Sequence, residues 1–206
     1  MISNRLKAIA SLVDTESILD VGCDHALLDI YLTNKGIKCR GTDISPNCIK
    51  LANETIKKNN LEDKIKLYVT DGVKGIDIYK TDTIVVAGMG TNTILNIIKN
   101  VSNPLILVSN NDIFTLRKEV VKLGYYIDNE ITIKEGKYYY VIIRFKKGKK
   151  KYSFKDYVLG PILKQNDNKD YYNYLYNKLL RNYKNIKNII KKLKEKRILN
   201  IVKKYI

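Results

Sequence analysis

Short apolar runs alternate with amphipathic ones along the first two thirds of the chain, and the period of each run points to the element it forms. Ile18 to Val21, Lys38 to Thr42, Lys64 to Thr70, Thr81 to Ala87 and Pro104 to Ser109 are brief and bounded by Gly, Asn, Asp or Ser, which predicts strands. The fourth is apolar without alternation, as a parallel strand covered on both faces must be. Between the strands, apolar residues return every three or four positions. A helix over 3–13 carries them at 6, 9, 10 and 13 behind Ser3, and a second runs from about His25 to Asn34. A third starts at Ser45-Pro46 and continues through Ile49, Ala52 and Ile56 to Asn59-Asn60. Two more cover about Thr93 to Lys99 and Ile113 to Leu123, the latter stopped by Gly124. Tyr126 to Lys134 and Tyr138 to Phe145 flank Glu135-Gly136-Lys137, a hairpin signal. Five strand–helix repeats closed by a hairpin predict an α/β fold, a doubly wound sheet of seven strands.

Beyond Phe145 the pattern changes. KKGKKK forms a basic hinge, and Ser153 to Leu159 is a short helix broken by Gly160-Pro161. From about Asn168 no Gly or Pro interrupts. Tyr172, Tyr176, Leu179, Tyr183, Ile186, Ile190 and Leu193 recur at spacings of four and three, which predicts a coiled-coil seam. The phase slips at Lys196-Arg197, and Ile198, Ile201, Val202 and Tyr205 continue on a shifted face. A fold-back there and one long helix are both open. The expected division is a Rossmann-like domain over 1–147 and a helical appendage over 148–206.

Charge sharpens that division. Residues 1–145 carry 19 Lys and Arg against 17 Asp and Glu, a net of +2, and residues 146–206 carry 19 against 4, a net of +15. A compositional bias toward lysine would act on both parts alike, so the tail is expected to bind a polyanion, RNA in particular. Cys23, Cys39 and Cys48 are odd in number and lack C-x-x-C spacing, which argues against disulfides and zinc and for a reduced cytoplasm. No leader pattern opens the sequence, and no apolar run is long enough for a bilayer. A monomer without metal or membrane is expected.

In an open parallel sheet, ligands gather beyond the carboxyl ends of the strands. Those ends read Gly22-Cys23-Asp24-His25, Asp43-Ile44, Asp71-Gly72, Ala87-Gly88-Met89-Gly90 and Asn110-Asn111. The first turn has one glycine, and Asp24 would repel the pyrophosphate of a dinucleotide, which disfavours NAD. A methionine zwitterion suits it better: its ammonium meets a carboxylate and its own carboxylate meets a helix N-terminus. The pattern predicts S-adenosylmethionine (SAM), in the architecture of class I methyltransferases. Gly22 and Asp24 are assigned to its methionine end, Asp43 to the ribose hydroxyls and Asp71 to the adenine amino group. Cys23, Ile44, Gly72, Ala87 and Gly88 join the cofactor-binding set as their neighbours. His25, the only histidine, is either a helix first-turn residue or a hydrogen-bonding partner of cofactor or target base.

At these residues the chain resembles the bacterial tRNA methyltransferases that modify N1 of adenine 22, the TrmK-like family. Their D-x-G-x-D-H-A-Y-L-P is matched by Asp20, Gly22, Asp24, His25, Ala26 and Leu28, with Leu27 for the tyrosine and Asp29 for the proline. Ala87-Gly88-Met89-Gly90 matches A-G-M-G-G, with Thr91 for the last glycine. Leu105-Ile106-Leu107 and Asn110 match L-I-L-Q-P-N, with Val108-Ser109 for Gln-Pro. Gly136-Lys137-Tyr138-Tyr139 is similar to the family's G-K-F-Y, and Gly160-Pro161 to its F-G-P. The resemblance runs almost the whole length in order and implies a coiled-coil C-terminal domain and a tRNA substrate. The lone pair of adenine N1 is free at neutral pH, so alignment rather than proton abstraction would dominate catalysis. Asp24 can stabilise the cationic product, His25 can assist, and Asn110 can hold the base edge. Two other readings stay open on sequence: a SAM enzyme acting on a small molecule, and a non-catalytic RNA-binding protein with a vestigial SAM site.

Overall fold

The computed structural model describes residues 2–206. Its sheet is built from β1 (Ser17–Val21), β2 (Lys38–Asp43), β3 (Ile65–Val69), β4 (Thr83–Met89), β5 (Leu105–Ser109), β6 (Tyr125–Glu135) and β7 (Tyr138–Lys147). The order is β3-β2-β1-β4-β5-β7-β6. The first five are parallel and β7 runs antiparallel to both β5 and β6. The helices are α1 (Asn4–Ser11), α2 (Leu27–Thr33), α3 (Pro46–Lys58), α4 (Thr91–Ile98), α5 (Ile113–Lys122), α6 (Phe154–Leu159), α7 (Lys169–Lys184) and α8 (Ile189–Val202). This is the seven-stranded, Rossmann-like doubly wound sheet that the hydrophobic pattern predicts.

Adjacent strand residues go to opposite cores, because successive side chains point to opposite faces. Ile18, Val85, Ile106 and Ile142 enter the cluster that α1, α2 and α3 cover. Leu19, Ile84, Leu107 and Ile143 enter the other, with α4 and α5. Chain order reverses between β1 and β4, so the crevice of the doubly wound sheet opens where these strands end, at Gly22 and Met89.

Two expectations change. Only four of the five parallel strands are followed by an α-helix: β3 leads into a loop with a single 3-10 turn at Ile78–Lys80. That stretch, DGVKGIDIYKTD, has two glycines and no run of apolar residues at helical period. The long tail helix is instead two helices turning at 185–188, well before the phase slip at Lys196-Arg197. Asn188 causes the turn to hold, its side chain accepting a 2.9 Å bond from the Lys191 amide as an N-cap. Tyr172 and Tyr205 meet at 5.4 Å between ring centroids, so α7 and α8 lie antiparallel. Of the expected seam, Tyr172, Tyr176 and Leu179 pack on the core, whereas Ile190 and Leu193 are exposed.

The tail has no core of its own. Val158, Leu159, Leu163, Tyr171, Tyr172, Ile198 and Val202 join the α4–α5 side of the sheet. A buried ion pair fixes this docking. Arg117 on α5 donates from Nε to Glu130 Oε1 on β6 at 2.6 Å, with both side chains about fully buried. Arg117 Nη1 donates to the Tyr157 carbonyl at 3.1 Å, and Glu130 Oε2 accepts from the Ile162 amide at 3.1 Å. Gly160 leaves the room: a Cβ there would lie 2.6 Å from Glu130 Oε2. Among the described residues no helix is long and apolar enough to cross a membrane.

Arg117→Met leaves Glu130 charged and alone in the core, and is expected to cost about 3–5 kcal/mol of stability. Adding Glu130→Met should recover most of that loss, which urea unfolding of both variants measures.

Candidate active site

The site is assembled from strand ends that hold one another. Gly22 turns at φ 81°, and a Cβ there would stand 2.4 Å from Met89 Cε, so the β1 turn passes tightly under the end of β4. The Gly22 and Cys23 amides both donate to the Thr42 carbonyl, at 2.7 and 3.0 Å, which ties the turn to β2. Asp24 and Ala26 then take left-handed backbone, φ 49° and 54°. For residues other than glycine this costs about 1–2 kcal/mol each. These two residues delay α2 to Leu27, two positions after the helix start expected at His25.

Asp43 organises the turn. Its Oδ2 accepts from the Asp24 amide at 3.3 Å and its Oδ1 from the Ser45 amide at 2.9 Å. A carboxylate has about four lone-pair sites, so acceptor capacity remains for a pair of hydroxyls. Ile44 beside it is exposed. At β3 the Thr42 hydroxyl donates to the Gly72 carbonyl at 2.9 Å. Asp71 is exposed and ion-paired with Lys74.

On the far side of the crevice β4 continues through Ala87 and Gly88 to Met89, with a bulge between Ala87 and Met89. Gly88 has φ 79° and open space where a Cβ would lie. Asn110 Nδ2 donates to the Gly88 carbonyl at 2.6 Å. That bond orients the amide and leaves Oδ1 as a free acceptor. Asp24 and His25 point outward, Oδ1 to Nε2 at 3.7 Å, both side chains about half exposed or more.

Sequence reasoning missed two groups. Thr91 and Ser109, which replace the family's glycine and proline, share a 2.8 Å hydroxyl–hydroxyl bond. Asn111 Oδ1 accepts from the Thr91 amide at 2.9 Å, so this network fixes α4 and the β5 turn together. The signal was two hydroxyl residues at neighbouring strand ends. The second group is acidic. Asp20 and Asp29 are buried beneath the first turn, and neither oxygen of Asp29 has a hydrogen-bond partner. Burial, with Asp43 nearby, pushes the Asp20 carboxyl up to about 7. Burial and Asp20 raise Asp29 well above the usual carboxylate range. Burial likewise raises the Cys23 thiol, so it is a neutral, unreactive neighbour. An acid inside ILDV and another between Leu28 and Ile30 were the available signs.

Glycine at 22 and 88, a carboxylate at the end of β2 and a free acceptor at Asn110 form a cradle suited to a ribose-bearing, phosphate-free ligand. A separate groove of about 760 Å³, lined by residues such as Lys38, Lys66 and Asp77, lies at the amino ends of the strands and takes no part. Among the described residues no cluster of His, Cys, Asp or Glu is arranged for a metal ion.

Fold and cradle together define a methyltransferase of the Rossmann-like class. Residues 2–143 match the model of the methyltransferase domain family, and the chain belongs to that family. Over its full length it is similar to TrmK. The structure of Mycoplasma capricolum TrmK with S-adenosyl-homocysteine is 29% identical, with a TM-score of 0.85, covering 100% of this chain and 97% of that one. Streptococcus pneumoniae Sp1610, assigned as a tRNA methyltransferase of N1 of adenine 22 and solved with S-adenosyl-L-methionine, is 25% identical with a TM-score of 0.88, covering 100% and 99%. MG248 of Mycoplasma genitalium, assigned as a tRNA methyltransferase, is 29% identical over 171 residues, 77% of each chain.

Asp43→Ala should weaken SAM binding at least tenfold while the sheet stays folded, since hydrogen bonds to a charged acceptor contribute about 1.5–3 kcal/mol. Titration calorimetry checks the affinity and far-UV circular dichroism the fold.

Proposed function

We propose that this chain transfers the methyl group of SAM to N1 of an adenine in tRNA, the adenine at position 22. The observation that carries the reading is the strand-end cradle of Gly22, Asp43, Gly88 and Asn110 in a chain similar to TrmK from end to end. SAM supplies an electrophilic methyl group on a sulfonium. Gly22, Cys23 and Asp24 hold its methionine end, and Asp43 takes the ribose hydroxyls while keeping its bonds to the Asp24 and Ser45 amides. Ile44 covers the adenine ring, with Asp71 and Gly72 at its edge and Ala87 and Gly88 along the sulfur. This cofactor set and the roles below are our assignment.

The chain's chemical task is alignment. Adenine N1 is nucleophilic without losing a proton, so the site needs to hold the base in line and exclude water. Asn110 Oδ1 accepts from the exocyclic amine, because its Nδ2 is committed to Gly88. Asp24 sits where the methylated, cationic ring gains from a carboxylate, and His25 donates to base or cofactor beside it. The adenine must leave its stack to reach N1, and the extruded base is bound here.

Residues 148–206 serve as the tRNA-binding part although they share the sheet's core. They hold most of the net charge, and Lys194 and Arg197 lie over Phe114 and Phe154 at 5.0 and 4.4 Å from the ring centroids, which keeps cationic heads at the surface. We infer a monomer, and a tRNA substrate puts the work in the cytoplasm.

Purified protein, labelled SAM and unmodified tRNA should yield N1-methyladenine at position 22. Methylation at another nucleotide, or none, overturns the reading. Asn110→Ala should lower kcat/KM for tRNA about tenfold, from the loss of roughly one 0.5–1.5 kcal/mol hydrogen bond, with SAM affinity unchanged. Raising salt from about 50 to about 200 mM should weaken tRNA binding by orders of magnitude.

A further inference from the structure

Asp29 is the least satisfied polar side chain beneath the site. It lies on the buried face of α2, fully shielded, and neither carboxylate oxygen has a partner. Thr33 Oγ1, one turn further along α2, is also buried and unpartnered. Asp20 stands on β1 two residues before Gly22 and is itself only 6% exposed. No ion pair among the described residues includes either acid.

The groups around this pair give it no positive charge. Asp43 at the end of β2 is a third carboxylate, and Cys23 in the turn and Cys39 on β2 are neutral thiols, with Cys39 pushed up to about 12 chiefly by burial. The apolar cluster around it brings Ile9 from α1, Ala52 and Ile56 from α3, and Ile65 from β3. Two carboxylates buried together without a cation cannot both ionise, because each charge is poorly solvated and repels the other. One proton therefore stays on the pair in the free protein.

SAM carries an ammonium, a sulfonium and one carboxylate at the end of the molecule that docks on the β1 turn, a net charge of +1. We propose that Asp29 is a positioning residue for cofactor binding: it keeps a proton on the Asp20–Asp29 pair of the free protein, and that proton passes to water when the cationic end of SAM docks at the turn. The pair goes from one negative charge to two as the ligand brings its positive charges, so protons and charge balance. The pair thus carries a single charge when empty and becomes fully anionic only against its ligand. The inference rests on SAM being the cofactor.

The sign follows from linkage. Releasing a proton on binding makes binding tighter as pH rises toward the value at which the free pair ionises, which for Asp20 is about 7. Above that pH the gain stops. His25 stands in the adjacent turn, and a His25→Gln control separates its contribution.

The test is titration calorimetry of the full-length protein with SAM from about pH 5.5 to about pH 7, below the range where the ligand's amino group titrates. Each pH is run in two buffers of different ionisation heat. The wild type should bind roughly tenfold tighter at the upper pH and release a measurable fraction of a proton at the lower. In Asp29→Asn the amide keeps the volume and donates to Asp20, which then ionises at lower pH. That variant should bind more tightly than wild type at about pH 5.5 and lose the slope. Asp29 acting only in packing would instead weaken binding equally at every pH.

Wild-type affinity that is flat with pH, or free of proton release, overturns the proposal even if Asp29→Asn does not fold. So does a slope that survives in Asp29→Asn but vanishes in His25→Gln. Failure to bind SAM at any pH removes the cofactor reading together with this inference, whereas binding without the slope removes the inference alone.

Discussion

The buried pair of Arg117 and Glu130 is the interaction on which the assembly of the molecule turns. It joins α5 to the outer hairpin strand, and its remaining donors and acceptors reach the Tyr157 carbonyl and the Ile162 amide at the entry to the tail. A buried pair of this sort contributes little net stability compared with apolar residues, since desolvation offsets most of the attraction. Its value is selectivity. Arg117 Nη1 and Glu130 Oε2 find their partners only when the segment around Gly160 lies directly over them, which favours one position of the tail on the sheet. The basic helices are therefore held at a fixed orientation to the strand ends, some distance from the cofactor cradle but rigid with respect to it.

At the cradle itself the governing effect is mutual support between turns. Asp43 stabilises two backbone segments before any ligand arrives, and Asn110 is oriented by the carbonyl of Gly88. The left-handed residues Asp24 and Ala26 are tolerated because the turn is anchored at the Thr42 carbonyl on one side and at Asp43 on the other. The result is a preorganised surface whose open acceptors are already aimed.

The seven strands, the hairpin and the strand-end clusters were legible because period and turn chemistry act locally. The unalternating run through Ile84, Val85 and Val86 was read as a strand covered on both faces, and it serves both cores. Gly22, Asp43, Gly88 and Asn110 all stand at the carboxyl ends of strands, because sheet topology gathers those ends wherever they lie in sequence. What escaped depends on contacts between distant segments. The tail's seam was carried through Ile190 and Leu193 because their spacing is correct, but the Asn188 cap ends the register, and the seam's continuation is exposed. Asp29 was visible only as a departure from a pattern. That it is sealed beneath the first turn with no hydrogen-bond partner follows from how α2 lies on β2 and β3.

Thr91 and Ser109 belong to two separate motifs, at the start of α4 and the end of β5, yet their hydroxyls touch. Thr91 Oγ1 also donates to the Asp112 carbonyl at 3.0 Å, and Ser109 Oγ also reaches Asn111 Oδ1 at 3.2 Å, so neither hydroxyl depends on the other alone. The four residues form one network, and changes within it should not add, because contacting residues are coupled. Grafting one motif from a relative into this chain would therefore disturb the other, which aligning the motifs separately does not reveal.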